Sequence, residues 1–309
     1  MRFLFHLCIF VMCSVFVGDA LAEGNIKGFS LSKSMPANFK SYGYQVVSKV
    51  DGHPVRSGET SLRFEVRAGD CSWTRGWNDC DNDRERHELK SGNMSGEKWF
   101  HWSIYLPEDY PVIYPVKTAL GQFHIEGGKP PLMFQNHAGG YLVDMQRKGK
   151  SINGGQILTD EEMRGKWSDI LLHINWTTSD RGFILAYVNG ESAPRFSWFG
   201  RTTDRSSVYY KVGIYRSFMT RRDGPEPTQV VYYDNIVKAS SCEDASTFFD
   251  CKAIAAGFAD IKKEFAKRMD LVKEATKTQG KVTRTIGEKK DEACKSPAFA
   301  SLFPDKCDN

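Results

Sequence analysis

After its first 22 residues the chain has no apolar run approaching the roughly 20 residues that a membrane-spanning helix needs. It has no Cys-x-x-Cys pair, which removes the usual zinc framework. Gly-x-Ser-x-Gly, His-Glu-x-x-His and the glycine-rich phosphate loop are all missing, so esterase, zinc protease and nucleotide enzyme are unsupported. Excess charge of one sign is small, +4 net, and no dense basic patch or known module points to nucleic acid. There is no internal repeat, and between residues 26 and 238 no helical period, which argues against an α/β fold.

What is present at the N-terminus reads as a secretory signal: Arg2, an apolar run from Phe3 to Val17, and Ala20-Leu21-Ala22 before an expected mature start near Glu23. Phe10-Val11-Met12 is a poor lipobox ahead of Cys13, so the expected product is secreted or periplasmic rather than lipid-anchored. Cys8 and Cys13 leave with the signal. The remaining Cys71, Cys80, Cys242, Cys251, Cys294 and Cys307 form an even set suited to an oxidising compartment, and near-neighbour pairing (71–80, 242–251, 294–307) is the simplest connectivity.

From residue 23 to 241 the pattern is that of short strands broken by Gly, Asp, Asn and Pro. Ser61–Arg67 places Leu62, Phe64 and Val66 on one face, and Phe183–Val188 ends in the turn pair Asn189-Gly190. An all-β, two-sheet jelly-roll sandwich follows. Residues 242–309 differ. Ile254, Phe258, Ile261, Phe265, Met269 and Val272 recur at spacings of three and four, an amphipathic helix in a disulfide-tied extension. Its basic residues, such as Lys262 and Lys263, read as a solvated face.

Three segments put polar groups on one strand face and apolar groups on the other. Tyr209–Tyr215 sends Tyr209, Lys211 and Tyr215 one way and Val212 and Ile214 the other. Gln122 and His124 share a face, as do Arg84, Arg86, Glu88 and Lys90. Alone, each is what any solvated sheet face looks like. Together they supply the groups for removing a weakly acidic proton beside a carboxylate. Arg86 and Gln122 neutralise the carboxylate, His124 or an ionised Tyr215 takes the proton, and Tyr215 protonates the leaving oxygen. Lys211 is expected to lower the Tyr215 pKa.

These segments resemble the signature motifs of jelly-roll polysaccharide lyases: Arg86-His87-Glu88-Leu89, Gln122-Phe123-His124 and Tyr209 to Tyr215, in that order. The flanking sequence is similar to the heparin lyase I and glucuronan lyase branch, over most of residues 50–238. The resemblance implies β-elimination on the concave face of the sandwich, with no cofactor and an anionic polysaccharide as partner. Lys90, and Arg216-Ser217, stand where alginate lyases tend to carry Arg and Asn-Gln, which disfavours alginate; within the family glucuronan is the first expectation and a heparin-like or other glucuronate-bearing exopolysaccharide the next. Arg84, Glu88, Lys90 and Tyr209 are expected to bind substrate, with loop residue His53 as a second groove residue. Asp234 is the candidate ligand for a structural Ca2+.

Two rivals make different demands. A glycoside hydrolase needs two facing carboxylates, whereas Glu85 and Glu88 alternate to opposite faces. A glycan-binding module would use Trp73, Trp77, Trp99, Trp102, Trp176 or Trp198, most of them more simply core, and would need neither the Lys211–Tyr215 nor the Gln122–His124 pair.

Overall fold

Leu62, Phe64 and Val66 alternate along one extended segment and all are fully buried, which commits one side of that strand to a core. Phe100, Trp102 and Ile104, and Ile170, Leu172 and Ile174, repeat the pattern and join the same core. The computed structural model describes residues 25–136, 138–267, 288, 291, 292 and 295. Residues 1–24, Met269, Val272, Cys294 and Cys307 lie outside the described residues.

The strands, in chain order, are β1 (Ile26–Lys27), β2 (Ser32–Lys33), β3 (Tyr44–Ser48), β4 (Thr60–Val66), β5 (Trp73–Thr74) and β6 (Trp77–Asn78). There follow β7 (Arg84–Lys90), β8 (Gly96–Tyr105), β9 (Lys117–His124), β10 (Leu132–Asn136), β11 (Tyr141–Arg147) and β12 (Lys150–Leu158). The last are β13 (Trp167–Trp176), β14 (Phe183–Val188), β15 (Phe196–Phe199), β16 (Tyr209–Ser217) and β17 (Gln229–Ala239).

One sheet runs β15-β14-β13-β8-β17-β4-β3, with β1 added in parallel to β17. The other runs β12-β11-β10-β9-β16-β7-β2, and β5 and β6 form a separate hairpin. Inward side chains of both sheets form the core, and the Tyr233 hydroxyl crosses it to donate to the Gly213 carbonyl at 3.2 Å. This is the expected jelly-roll sandwich. Consecutive strands are often not sheet neighbours: β16 is inserted between β7 and β9, far behind them in sequence. That insertion brings the three polar segments together.

The chain divides into two compact units, the first ending at Asp250 and the second starting at Cys251, rather than at 241/242 as expected. The reason lies in the packing of 242–250. Phe248 stacks on His101 of β8 at 5.3 Å and lies under the Arg56 guanidinium at 4.5 Å, which ties this stretch to the eight-stranded sheet. The second unit carries a helix over 251–267, in which Ile254 is buried and Phe258, Ile261 and Phe265 are half-buried, matching the amphipathic spacing. Cys71 and Cys80 are joined, and Cys242 and Cys251 are both in disulfide linkage.

Candidate active site

Because β16 lies between β7 and β9, its residues Lys211 and Tyr215 have partners on both neighbouring strands. Lys211 pairs with Lys90 and Gln122, and Tyr215 with Arg86 and Ala119. Gly213 faces Glu88, and Tyr209 faces His124. The alternate residues Leu89, Phe123, Val212 and Ile214 are buried in the core, so the polar set projects from the opposite, outer face.

Two glycines make this register feasible. Between Lys211 and Tyr215 the pairing with β9 slips, since β9 goes from Gln122 only to Ala119 over the same stretch. Gly121 in β9 takes φ +118° and Gly213 in β16 φ +132°, both outside the range open to other residues. A Cβ on Gly213 would also lie 2.2 Å from the His87 carbonyl oxygen. The bulge turns Gln122 and His124 to the same face as Tyr215.

Glu88 is the hub. Its Oε1 accepts from Gln122 Nε2 at 2.5 Å, and its Oε2 accepts from Lys211 Nζ at 3.0 Å and Arg86 Nη1 at 3.2 Å. Arg86 also donates Nε and Nη2 to the two oxygens of Asp79, each at 2.6 Å. Its guanidinium stands 4.2 Å from the centre of the Tyr215 ring. Arg84 Nε donates to the Tyr215 hydroxyl at 2.9 Å. Arg86, Lys211, Glu88 and Asp79 thus form a buried set with balanced charges, and Arg84 adds a positive charge beside it.

The titration of these groups follows from burial and neighbours. Burial alone would raise the Glu88 carboxyl, but Lys211 and Arg86 outweigh it and hold it low. Burial, aided by Arg86, lowers the Lys211 ammonium to about 8 in spite of Glu88. Burial and the nearby Lys211 charge lower His124 to about 4, so its ring is neutral near pH 7. The Ile125 carbonyl 2.8 Å from His124 Nδ1 can only accept, so Nδ1 carries the hydrogen and Nε2 keeps a lone pair. Burial raises the Tyr215 phenol, opposed by Arg86 and Arg84, and burial also raises Tyr209.

Several expectations change at this level. The cations at Tyr215 are Arg86 and Arg84, not Lys211, whose ammonium is drawn to Glu88. The Tyr215 pKa is raised, not lowered, because burial exceeds the cationic help. Glu88 is buried with both oxygens occupied, so it organises other residues rather than contacting a substrate. Arg86 keeps only part of its fork for a substrate carboxylate, since Asp79 and Glu88 take three of its N–H groups. His53 does not join the site: it shares a 3.2 Å hydrogen bond with Tyr232 of β17, in the other sheet. Arg216 turns inward to pair with Glu85, so its difference from alginate lyases concerns packing rather than substrate. Lys90 stays exposed at the site, and Tyr209 lies 3.2 Å from His124 Nδ1 through its hydroxyl.

Asp234 does not fit a calcium site. Its Oδ1 accepts from Asn25 Nδ2 at 2.8 Å and the Asn235 N–H at 2.7 Å, and its Oδ2 from the N–H groups of Arg56 at 2.9 Å and Ser57 at 3.1 Å. Four donors leave no lone pair for a cation. Among the described residues, no group of three or more His, Cys, Asp and Glu gathers to hold a metal.

Asp79 escaped sequence reasoning altogether. It is fully buried, next to disulfide-bonded Cys80, and accepts from Trp77 Nε1 at 2.8 Å as well as from Arg86. No periodicity links a loop aspartate to a strand arginine; its place before a cysteine of a short closed loop was the one available signal.

The architecture, with titratable groups gathered on one sheet face, is that of a β-jelly-roll enzyme. More specifically, the chain belongs to the polysaccharide lyase family, whose model, described as "Polysaccharide lyase", matches residues 24–237. No curated protein matches it. Among solved structures it is similar to the endo-β-1,4-glucuronan lyase of the fungus Trichoderma reesei, at 19% identity and TM-score 0.52, over 72% of this chain and 95% of that one. It is also similar to the alginate lyase AlgAT5 of polysaccharide lyase family 7, at 15% identity and TM-score 0.46, over 68% and 93% of the two chains. A third similar structure is the alginate lyase of Corynebacterium sp., at 16% identity and TM-score 0.44, over 65% and 82%. At 19% identity the likeness to the glucuronan lyase speaks to the fold.

Proposed function

We propose that this lyase cleaves a glucuronate-bearing polysaccharide, glucuronan first, by β-elimination on the outer face of the seven-stranded sheet, after export from the cell. The observation that carries the reading is the shared register of Gln122, His124, Lys211, Tyr215 and Arg86 around Glu88. In this reading His124 Nε2 removes the C5 proton, the C4–O4 bond breaks as the C4=C5 bond forms, and the Tyr215 hydroxyl protonates the departing oxygen. A neutral imidazole with a lone pair and a phenol kept protonated suit those two roles. The remaining Arg86 and Gln122 N–H groups and the Lys211 ammonium face the charge that develops on the uronate carboxylate.

Glucuronan is preferred because Lys90 occupies the site face where alginate lyases tend to carry Arg. Export rests on the signal-like first 22 residues and on the Cys71–Cys80 disulfide, which suits an oxidising compartment. The test is to incubate the purified protein with glucuronan, alginate and heparin. The expected result is growth of the ultraviolet absorbance of an unsaturated uronate end with glucuronan. Reducing ends without that absorbance would indicate hydrolysis instead.

A further inference from the structure

The hairpin closed by Cys71 and Cys80 is absorbed by the proposed chemistry only through Asp79. Its outer part is unusual for its composition and exposure. Trp73 and Trp77 are each 44% exposed, whereas Trp102 and Trp176 are core residues. Between them lie Thr74, Arg75 and Gly76, so the tip reads Trp-Thr-Arg-Gly-Trp. Arg75 is exposed and has no hydrogen bond or ion pair among the described residues.

The two tryptophans are not equivalent. Trp73 pairs with Asn78, and Trp77 with Thr74, so the two indoles leave opposite faces of the ribbon. Trp77 is on the face of Asp79 and donates its indole N–H to Asp79 Oδ1 at 2.8 Å. That oxygen also accepts from Arg86 Nη2 at 2.6 Å, and Arg86 lies over Tyr215. The Trp77 indole is therefore continuous with the Tyr215 end of the site. With its N–H already engaged, what it offers to solvent is apolar ring surface.

We infer that Trp77 and Arg75 form an additional uronate-binding subsite beside the Tyr215 end, with the indole stacked on the C–H face of a pyranose and the guanidinium paired to its carboxylate. This rests on the reading that the substrate is a polyuronate. An amphipathic sugar ring places C–H bonds on an aromatic face and leaves its charged edge free, and a guanidinium takes a carboxylate with two parallel N–H bonds. The hairpin is ready-made for such contact. It is closed by the disulfide, by the Asp79 N–H donating to the Ser72 carbonyl at 2.9 Å and by a bridge from Trp73 to Ala37. Little ordering entropy is then lost on binding.

The test uses full-length protein in affinity electrophoresis through gels containing glucuronan, with KM and kcat measured on the same polymer. Arg75→Ala and Trp77→Ala should each weaken retardation and raise KM about five- to tenfold, with a smaller change in kcat. Trp73→Ala, on the opposite face, should be retarded as the wild type is. Arg75→Ala touches no group of the site, so it remains informative if Trp77→Ala disturbs Asp79. Unchanged retardation and KM in Arg75→Ala would overturn the proposal, as would a loss confined to kcat in Trp77→Ala or a wild type that glucuronan does not retard. Electrophoresis needs no turnover. Retardation that depends on Trp77 and Arg75, without unsaturated product, would sustain the subsite and sink the lyase reading on this polymer; normal turnover in both variants would do the reverse.

Discussion

Replacing Glu88 by glutamine removes one buried charge while keeping its shape. The carboxylate accepts from Gln122 on one oxygen and from Lys211 and Arg86 on the other. An amide can keep its oxygen toward the two cations, and its NH2 then meets Gln122. Gln122 Oε1 has no hydrogen-bond partner, so a flip of that amide restores the contact. The loss in Glu88→Gln is therefore mainly electrostatic. Removing one partner of a buried ion pair costs about 3–5 kcal/mol at a pH where the remaining charges persist. Here the cost depends on pH, because the Lys211 ammonium titrates at about 8 in the folded protein and Glu88 is what supports that value. Without Glu88 the Lys211 pKa falls further. Between the new value and 8, the variant's folded state holds one proton fewer than the wild type's, so its stability rises relative to wild type as pH rises. Each pKa unit contributes about 1.4 kcal/mol, so the deficit should shrink by about 1–3 kcal/mol from pH 6 to pH 9. Urea unfolding of both proteins at the two pH values measures it. An equal deficit at both, or none at pH 6, would refute the claim that Glu88 holds Lys211 charged.

Tyr215→Phe deletes a hydroxyl whose partner, Arg84, is near solvent, so the fold should persist while kcat on the accepted polymer drops about 10²-fold or more; a folded variant with near-normal kcat would remove Tyr215 from proton transfer. With His124 as base and its pKa lowered to about 4, kcat/KM should be level between pH 5 and 7 on the His124 account. An acid limb near 6.5 would mean that the imidazole is not desolvated as described. His101 is buried and lowered to about 4, so the unfolded chain takes up a proton below pH 6.5 that the folded protein refuses. Stability should be complete above 6.5 and fall by roughly 3 kcal/mol on this account as pH drops toward 4. The decline measured by urea titration should be shallower in His101→Gln, and identical slopes would assign it elsewhere.

Much of the architecture is legible in the chain because strand geometry is local. A period of two commits Val212 and Ile214 to the core and Lys211 and Tyr215 to the other side without reference to any neighbour. The helix over 251–267 was readable for the same reason, from its spacing of three and four. The order of the three motif segments was visible too, but not that β16 would lie between β7 and β9. What the tertiary structure alone decided is which partner each polar group meets. Glu88 looked like a substrate contact until Lys211 and Gln122, more than 30 positions away, used up its oxygens. Asp79 had no recognisable role until a short loop set it under Arg86. Asp234 resembled a metal ligand until Asn25 and the backbone of Arg56 and Ser57 supplied four donors. Side-chain direction is set by the backbone torsions of a few residues, whereas hydrogen-bond saturation and pKa depend on every group that folding brings within about 4–6 Å, from any position in the chain.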